Sequence, residues 1–346
     1  MYEILAPAGN KECAVAAVQS GADAIYLGYS AFSARAGAEN FDLDALKGIV
    51  EYAHIFGVKV YVTLNTIIYD DEIAEVEKLI GELYNIGVDA LIVQDMGILR
   101  MNIPPIPLHA STQMAVHNLE GAKFLQSIGF KRVVLARELT LTEIKKIADA
   151  LPDLDLEVFV HGALCYSYSG QCLFSALEYG KSANRGRCIY PCRNIYENSC
   201  GNKSVKNHLF SMKDLALEEK VLKIPALSLK IEGRKKSPLY VGAVTNYYRK
   251  LLDGKKKDIN DAEDIKQIFS RPWCNFHFNG KDKTVVDKDF VGHRGLVIGN
   301  VEKINKRGLG FRTSHKIARY DGIQIDVKGD EKPFGFGIKS LFVVNK

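Results

Sequence analysis

The sequence predicts a (β/α)8 barrel of the TIM type followed by a small antiparallel β domain. Three observations carry that expectation. Eight short, nearly continuous apolar runs punctuate residues 1–254, as parallel strands buried on both faces require. Amphipathic segments with helix-capping residues lie between them. After residue 254 the pattern turns to short runs separated by Gly, Lys and Asn, which suits antiparallel strands.

In chain order the strand candidates are YEILAPA (2–8), ADAIYLG (22–28), VKVYVTL (58–64), ALIVQ (90–94), IPLHAS (106–111), RVVLAR (132–137), LEVFVHG (156–162) and ALSLKIEG (226–233). Residues 42–57 place Leu43, Leu46, Ile49, Val50 and Ala53 at helical spacing. Residues 71–87 repeat the pattern and stop at Gly87, a natural C-terminal cap. Residues 237–254 open with Ser237 as N-cap and Pro238 at the first helical position, and stop at Gly254. Eight strands, each followed by a crossover, close into a barrel. An open doubly wound sheet is the competing architecture. No G-x-G-x-x-G follows the first strand, which counts against a dinucleotide fold.

The expected organisation is a barrel over 1–254, a linker over 255–270, and a small basic, barrel-like β domain over 271–346. An insertion at 163–225 separates the seventh and eighth strands. A βα loop is ordinarily about 2–6 residues, so an interval this long is expected to be functional. It also lies at the C-terminal face, where barrel active sites sit.

Of 346 residues, 47% are hydrophobic and 25% charged, the balance of a soluble globular chain. No run of about 18 apolar residues occurs, so no membrane span is expected. The segment MYEILAPAGNKEC has no basic stretch leading into an apolar core, so no signal peptide is expected either. Both point to the cytoplasm, where thiols stay reduced. Residues 1–254 carry 27 Lys+Arg against 29 Asp+Glu, and residues 255–346 carry 19 against 12. A basic appendage on a near-neutral barrel suits a phosphate-backbone partner, or is simply a lysine-rich solvated face.

Four of the seven cysteines, Cys165, Cys172, Cys188 and Cys192, fall in the insertion with spacing C-x6-C-x15-C-x3-C. Zinc ribbons and fingers open with a shorter gap. A 4Fe–4S cube accepts longer, irregular gaps if four thiolates reach its irons. Two disulfides, or unrelated buried thiols, are the alternatives. Cys13, Cys200 and Cys274 read as unrelated thiols, although Cys200 or Cys13 is also available as a substitute fourth ligand.

The strand ends supply candidate site residues. His161, His109, Glu232 and Arg137 are the catalytic candidates. Arg35, Asn65, Gln113, Lys230 and Arg234 are the substrate-binding ones. His161 precedes Cys165 by four positions and suits a general acid–base role or a hydrogen bond to cluster sulfur. His109 suits the former role. Arg137 and Arg35 suit a carboxylate or phosphate through the planar guanidinium. For each residue alone, an ordinary hydrogen bond at the barrel end explains it as well. Gathered at one rim they read as a site.

E-V-F-V-H-G-A-L-C-x4-G-Q-C resembles the signature of the U32 family, known as peptidases or collagenase-like proteins. LAPAGN (5–10), GADAIYLG (21–28), FSARAGAENF (32–41), LHASTQMAVHN (108–118), RVVLAREL (132–139), NRGRC (184–188), SLKIEGRKKSPLYV (228–241) and GHRGLVIGNV (292–301) follow the family in order. The resemblance implies one of two activities. One is peptide hydrolysis. The other is oxygen-independent hydroxylation with a 4Fe–4S cluster, acting on tRNA uridine, ribosomal RNA cytidine or a ubiquinone precursor. It implies that the four clustered cysteines are the ligands. For the RNA-acting members it also implies an oxygen donor like prephenate, a dicarboxylate that arginines would hold, and an electron-donor protein as a partner. No H-E-x-x-H or G-x-S-x-G is present, and nothing in the local sequence activates Ser111 or Ser169. A cysteine peptidase using Cys165 or Cys172 with His161 would leave two cysteines without a role. The residues therefore argue against proteolysis. Among the activities that the resemblance implies, the separate basic β domain tilts the expectation to hydroxylation of an RNA base, with tRNA uridine first, over peptidase, quinone-precursor and assembly-partner readings. In the C-terminal region Lys303, Lys306, Arg307, Arg312, Lys316 and Arg319 are expected to meet RNA phosphates from a hairpin turning at Gly308 and Gly310. Phe311 and Tyr320 either stack on bases or fill the small core.

Overall fold

A computed structural model describes residues 2–35, 39–200, 203–255, 260–306, 308–327 and 333–342. Seven parallel strands follow in order: β1 (Glu3–Pro7), β2 (Ala24–Gly28), β3 (Lys59–Leu64), β4 (Ala90–Val93), β5 (Leu108–Ala110), β6 (Arg132–Val134) and β7 (Asp155–Ala163). The eighth barrel strand, β11 (Ser228–Ile231), pairs in parallel with both β7 and β1 and closes the ring. Every strand foreseen from the apolar runs is present, and the open sheet is excluded.

The helices form where the capping chemistry places them. In α1 (Lys11–Gln19) the Asn10 side chain accepts from the Cys13 amide. In α2 (Leu43–Ile55) Asp42 caps the Ala45 amide, and Leu46, Ile49, Val50 and Ala53 are buried. Helix α3 (Ile73–Asn85) ends just before Gly87, whose φ is +88°. Helices α4 (Leu119–Ser127) and α5 (Leu141–Ala150) follow, the latter with a reciprocal Thr140–Glu143 capping box. The crossover from β4 to β5 carries only a 3-10 turn, Met96–Arg100. Pro104, Pro105 and Pro107 lie in its second half, and proline cannot donate the amide hydrogen bonds of a helix.

The insertion begins with the short helix α6 (Phe174–Tyr179). The hairpin β8 (Tyr196–Cys200) and β9 (Lys203–Asn207) comes next. Strand β10 (Asp214–Ala216) then runs antiparallel to the end of β7, with Ala216 opposite His161 and Asp214 opposite Ala163. So β7 serves two sheets: its first half is barrel stave, its last residues hold a side sheet. Helix α7 (Pro238–Leu252) buries Tyr240, Tyr247 and Tyr248, and its Ser237 cap accepts from the Tyr240 amide. After α8 (Asp261–Ile268), β12 (Trp273–Cys274) adds to β10 at the edge of the side sheet.

Two separate antiparallel ladders complete the described residues. They are β13 (Val301–Asn305) with β14 (Gly308–Phe311), and β15 (Gly322–Ile325) with β16 (Phe334–Gly337). Asn305 pairs with Gly308. The expected turn at Gly308 and Gly310 therefore falls earlier, and both glycines lie in strand β14. A two-residue connection matches the twist of a hairpin better than the longer one first expected. Tyr320 is largely exposed and Phe311 partly so. Arg307, expected among the RNA-facing cations, lies outside the described residues.

Candidate active site at the barrel mouth

The barrel interior is polar toward its N-terminal end. Glu3, Arg132, Glu157 and Lys230 are all buried there. Arg132 Nη1 reaches Glu3 Oε1 at 2.6 Å and Glu157 Oε2 at 3.3 Å. Lys230 Nζ reaches Glu157 Oε1 at 2.7 Å, and the Tyr61 hydroxyl donates to Glu3 at 2.8 Å. Burial depresses the Lys230 ammonium, and pairing with Glu157 opposes that shift. His109 stands in the same layer, edge-on to Tyr61, with its Nδ1 unpaired. Burial, with help from the Arg132 charge, holds it neutral, well below the ordinary histidine range.

The C-terminal mouth holds a different group. Glu232, just past β11, lies between Arg137 Nη2 at 3.3 Å and Arg35 Nη2 at 3.7 Å. Arg137 also donates to the Ala163 carbonyl at 2.8 Å and lies over the Phe159 ring. Burial works against the Glu232 charge, but Arg35, Arg137, Arg234 and Lys230 outweigh it and hold the carboxyl below its usual range. Glu232 in turn raises Arg35. Arg234 is buried and pushed down to about 10 by desolvation. It donates to Ser33 at 2.9 Å, Thr63 at 3.1 Å and Asn40 at 2.5 Å. A Cβ on Gly28 would lie 2.0 Å from Arg234 Nη2, so glycine there makes room for the guanidinium. Asn65 Oδ1 accepts from the Ala34 amide at 3.0 Å and fixes the loop that carries Arg35.

The insertion is tied to this rim at several points. Glu138 accepts from the Ser169 amide and hydroxyl, both at 3.0 Å, and contacts His117 Nε2 at 3.3 Å. The Gln113 carbonyl presses on Gly170, where a Cβ would lie 2.3 Å away and φ is +76°. Arg185 forms a forked pair with Glu72 and lies 4.4 Å over the Tyr69 ring. Arg193 is driven into the barrel edge, donating to Ser211, Met212 and Leu164. Arg185 and Arg193 were not singled out from sequence. Their signal was their place beside cysteines and strand ends, but pairings so distant along the chain carry no local pattern.

These ties gather Cys165, Cys172, Cys188 and Cys192, all free thiols. Burial raises Cys188 and Cys192; Cys165 and Cys172 further oppose the ionisation of both, and Cys188 that of Cys192. The Arg35 charge acts on Cys188 in the opposite direction. Among the described residues no three His, Cys, Asp or Glu side chains converge on a point that would hold a single metal ion. Cys13 is buried in α1 against the Lys236 carbonyl. The Cys200 side chain lies outside the described residues.

Of the sequence candidates, Glu232, Arg137, Arg35 and Arg234 come together, Asn65 braces the loop that carries Arg35, and the Gln113 carbonyl packs against Gly170 of the insertion. Lys230 and His109 lie deeper, in the interior layer. His161 Nδ1 meets the Tyr248 hydroxyl at 3.2 Å, and its ring packs against Trp273, Tyr248 and Tyr240. Burial pushes it down to about 4. A register shift opposite Lys230 and Ile231 interrupts the alternation of β7 at this point.

No described helix is long and apolar enough to cross a membrane. In comparison with known proteins, the chain is 40% identical to the 23S rRNA 5-hydroxycytidine C2501 synthase of Escherichia coli, over 94% of this chain and 52% of that protein. It is 40% identical to a tRNA hydroxylation protein P of Helicobacter pylori, over 72% of this chain and 64% of that protein. It is 36% identical to an uncharacterized protease of Methanocaldococcus jannaschii, over 90% and 80%. The chain thus spans between half and two-thirds of the length of the first two relatives. The model of peptidase family U32 matches residues 9–288, and the chain belongs to that family.

Proposed function

We propose that this chain carries the catalytic domain of an iron–sulfur-dependent, oxygen-independent RNA hydroxylase. The observation that carries the reading is the meeting of four free thiols with an arginine-rich pocket at the mouth of a closed barrel. Two relatives named for RNA hydroxylation, each 40% identical, support the substrate class. Uridine in tRNA is the first expectation, and cytidine in ribosomal RNA the second.

Four thiols are the donor set that a 4Fe–4S group takes, and those of Cys165, Cys172 and Cys188 lie near enough to Cys192 to oppose its ionisation. Cys165, Cys172, Cys188 and Cys192 would hold it, and it would supply electron transfer or polarise the oxygen donor. Arg35, Arg137 and Arg234 set three guanidinium groups against the single carboxylate of Glu232. The surplus positive charge would orient an anionic oxygen donor such as prephenate beside the thiols. An electron-donor protein completes the proposed system.

The peptidase reading has the family name in its favour. Ser169, the serine at the rim, is not placed as an activated nucleophile. Ser169 donates to Glu138, and His117 meets the same carboxylate. A triad needs the imidazole between serine and acid, and here the acid stands between. The test is mass spectrometry of nucleosides from tRNA and rRNA of strains with and without the gene. Identical profiles reject the RNA reading. Gelatin hydrolysis abolished in Ser169→Ala would favour the peptidase.

A further inference from the structure

From Tyr179 to Ile195 the insertion contains Lys181, Arg185, Arg187 and Arg193 and no carboxylate. Arg185 and Arg193 are spent on anchoring. Lys181 and Arg187 are not. Both are exposed, and neither has an ion-pair partner among the described residues. Together with Lys235, from the loop after β11, they line a cleft of about 350 Å³ that also contains Arg35, Cys188 and Tyr190. No carboxylate is among the residues that line the cleft, and Glu232 nearby is already held by Arg35 and Arg137. The cleft therefore presents three uncompensated cations beside one of the clustered cysteines.

Tyr190 adds a feature of a different kind to the same cleft. It sits between two of the clustered cysteines with φ +59° and ψ +45°, a left-handed conformation that costs a non-glycine residue about 1–2 kcal/mol. That conformation aims its amide at Cys188 Sγ, 3.4 Å away. Glycine would adopt it freely, so the backbone does not explain a large aromatic ring here. The ring is 41% exposed, and Lys235 Nζ lies 5.2 Å from its centroid. A ring held at a rigid turn, with a cation beside it and free cations around it, is the arrangement that receives an unpaired nucleotide.

We propose that Lys181, Arg187 and Lys235 clamp the phosphodiester backbone of single-stranded RNA while Tyr190 stacks on a base beside Cys188. The inference rests on the RNA reading above and assigns that reading its binding surface. A small dicarboxylate alone would not use it fully, because three cations and an exposed aromatic ring line the same cleft. A looped or unpaired strand meets both features at once.

The test is tRNA binding by the anaerobically purified full chain, with dye-labelled tRNA and oligouridylate as probes, across a KCl series. The Lys181→Ala/Arg187→Ala/Lys235→Ala chain is expected to lose about two units of log–log salt slope on the oligonucleotide, at about 0.7 per phosphate contact. Tyr190→Gly keeps the turn and removes the ring, and is expected to weaken binding on the order of tenfold. Tyr190→Phe is expected to retain wild-type affinity. Far-UV circular dichroism and iron content matching the wild type exclude misfolding. If the wild type shows salt-sensitive binding and all these variants match it, the clamp is wrong and the RNA reading stands. Loss only in Lys303→Ala/Lys306→Ala/Arg312→Ala would move the RNA surface to the C-terminal ladders. Unchanged RNA binding with weakened dicarboxylate binding would give the cleft to the oxygen donor. No salt-sensitive binding by the wild type would overturn the RNA reading itself.

Discussion

His161 gives the sharpest prediction from packing alone. Its ring is buried among Trp273, Tyr240 and Tyr248, with Asp214 and Lys236 the charges that act on it. Burial pushes it down to about 4, whereas an unfolded histidine titrates near 6.5. The native state therefore refuses a proton that the unfolded chain accepts. The stabilisation is complete above about pH 6.5, declines as pH falls, and is gone once pH passes below the folded value. The difference amounts to about 3 kcal/mol in full, of which about 2 kcal/mol is lost between pH 7 and pH 5. Urea unfolding of the wild type and of His161→Phe, compared at closely spaced pH values, isolates this one group. The wild-type stability should fall more steeply than that of the variant over this window. Parallel curves would refute the claim that His161 is buried neutral, and would free it for proton transfer at the site.

Three further outcomes are expected from individual contacts. Arg132→Met removes the cation between Glu3 and Glu157 in the barrel interior. Because Lys230 and Tyr61 still serve those carboxylates, the loss should fall near the low end of the buried-pair range, about 3 kcal/mol by urea denaturation. Gly28→Ala should displace Arg234 and reduce activity far more than Gly48→Ala, since a Cβ at Gly48 meets nothing within 4 Å. Arg185→Gln should detach the insertion from Glu72 and Tyr69, read as faster proteolysis between residues 173 and 190 with the barrel intact.

The barrel was legible because strands buried on both faces leave unbroken apolar runs, and α2 announces itself through the spacing of Leu46, Ile49, Val50 and Ala53, α3 through Gly87 and α7 through Ser237. The rim group was legible in part. Arg35, Arg137, Glu232 and Arg234 each follow a strand, and chain topology alone brings strand ends together. The side sheet was not legible. Asp214–Ala216 and Trp273–Cys274 are too short to carry a pattern, and their partner is the tail of a strand already assigned. The setting of His161 was hidden for a related reason. Simple alternation from Glu157 through Phe159 would turn it into the barrel, and the register shift beside Ile231 breaks that count. Tyr190 had no signal beyond its place between cysteines, because left-handed backbone at a tyrosine is set by the surrounding turn.

The central claim is that the four thiols at the barrel mouth and RNA hydroxylation belong to one site. The most direct measurement is complementation of a strain lacking the gene, read by mass spectrometry of tRNA and rRNA nucleosides. The account predicts that a nucleoside one oxygen heavier disappears in that strain, returns with the wild-type chain, and fails to return with Cys165→Ala, Cys172→Ala, Cys188→Ala or Cys192→Ala produced at equal levels. Full return with any of the four would remove that thiol from the site, and a profile that never changes would contradict the account.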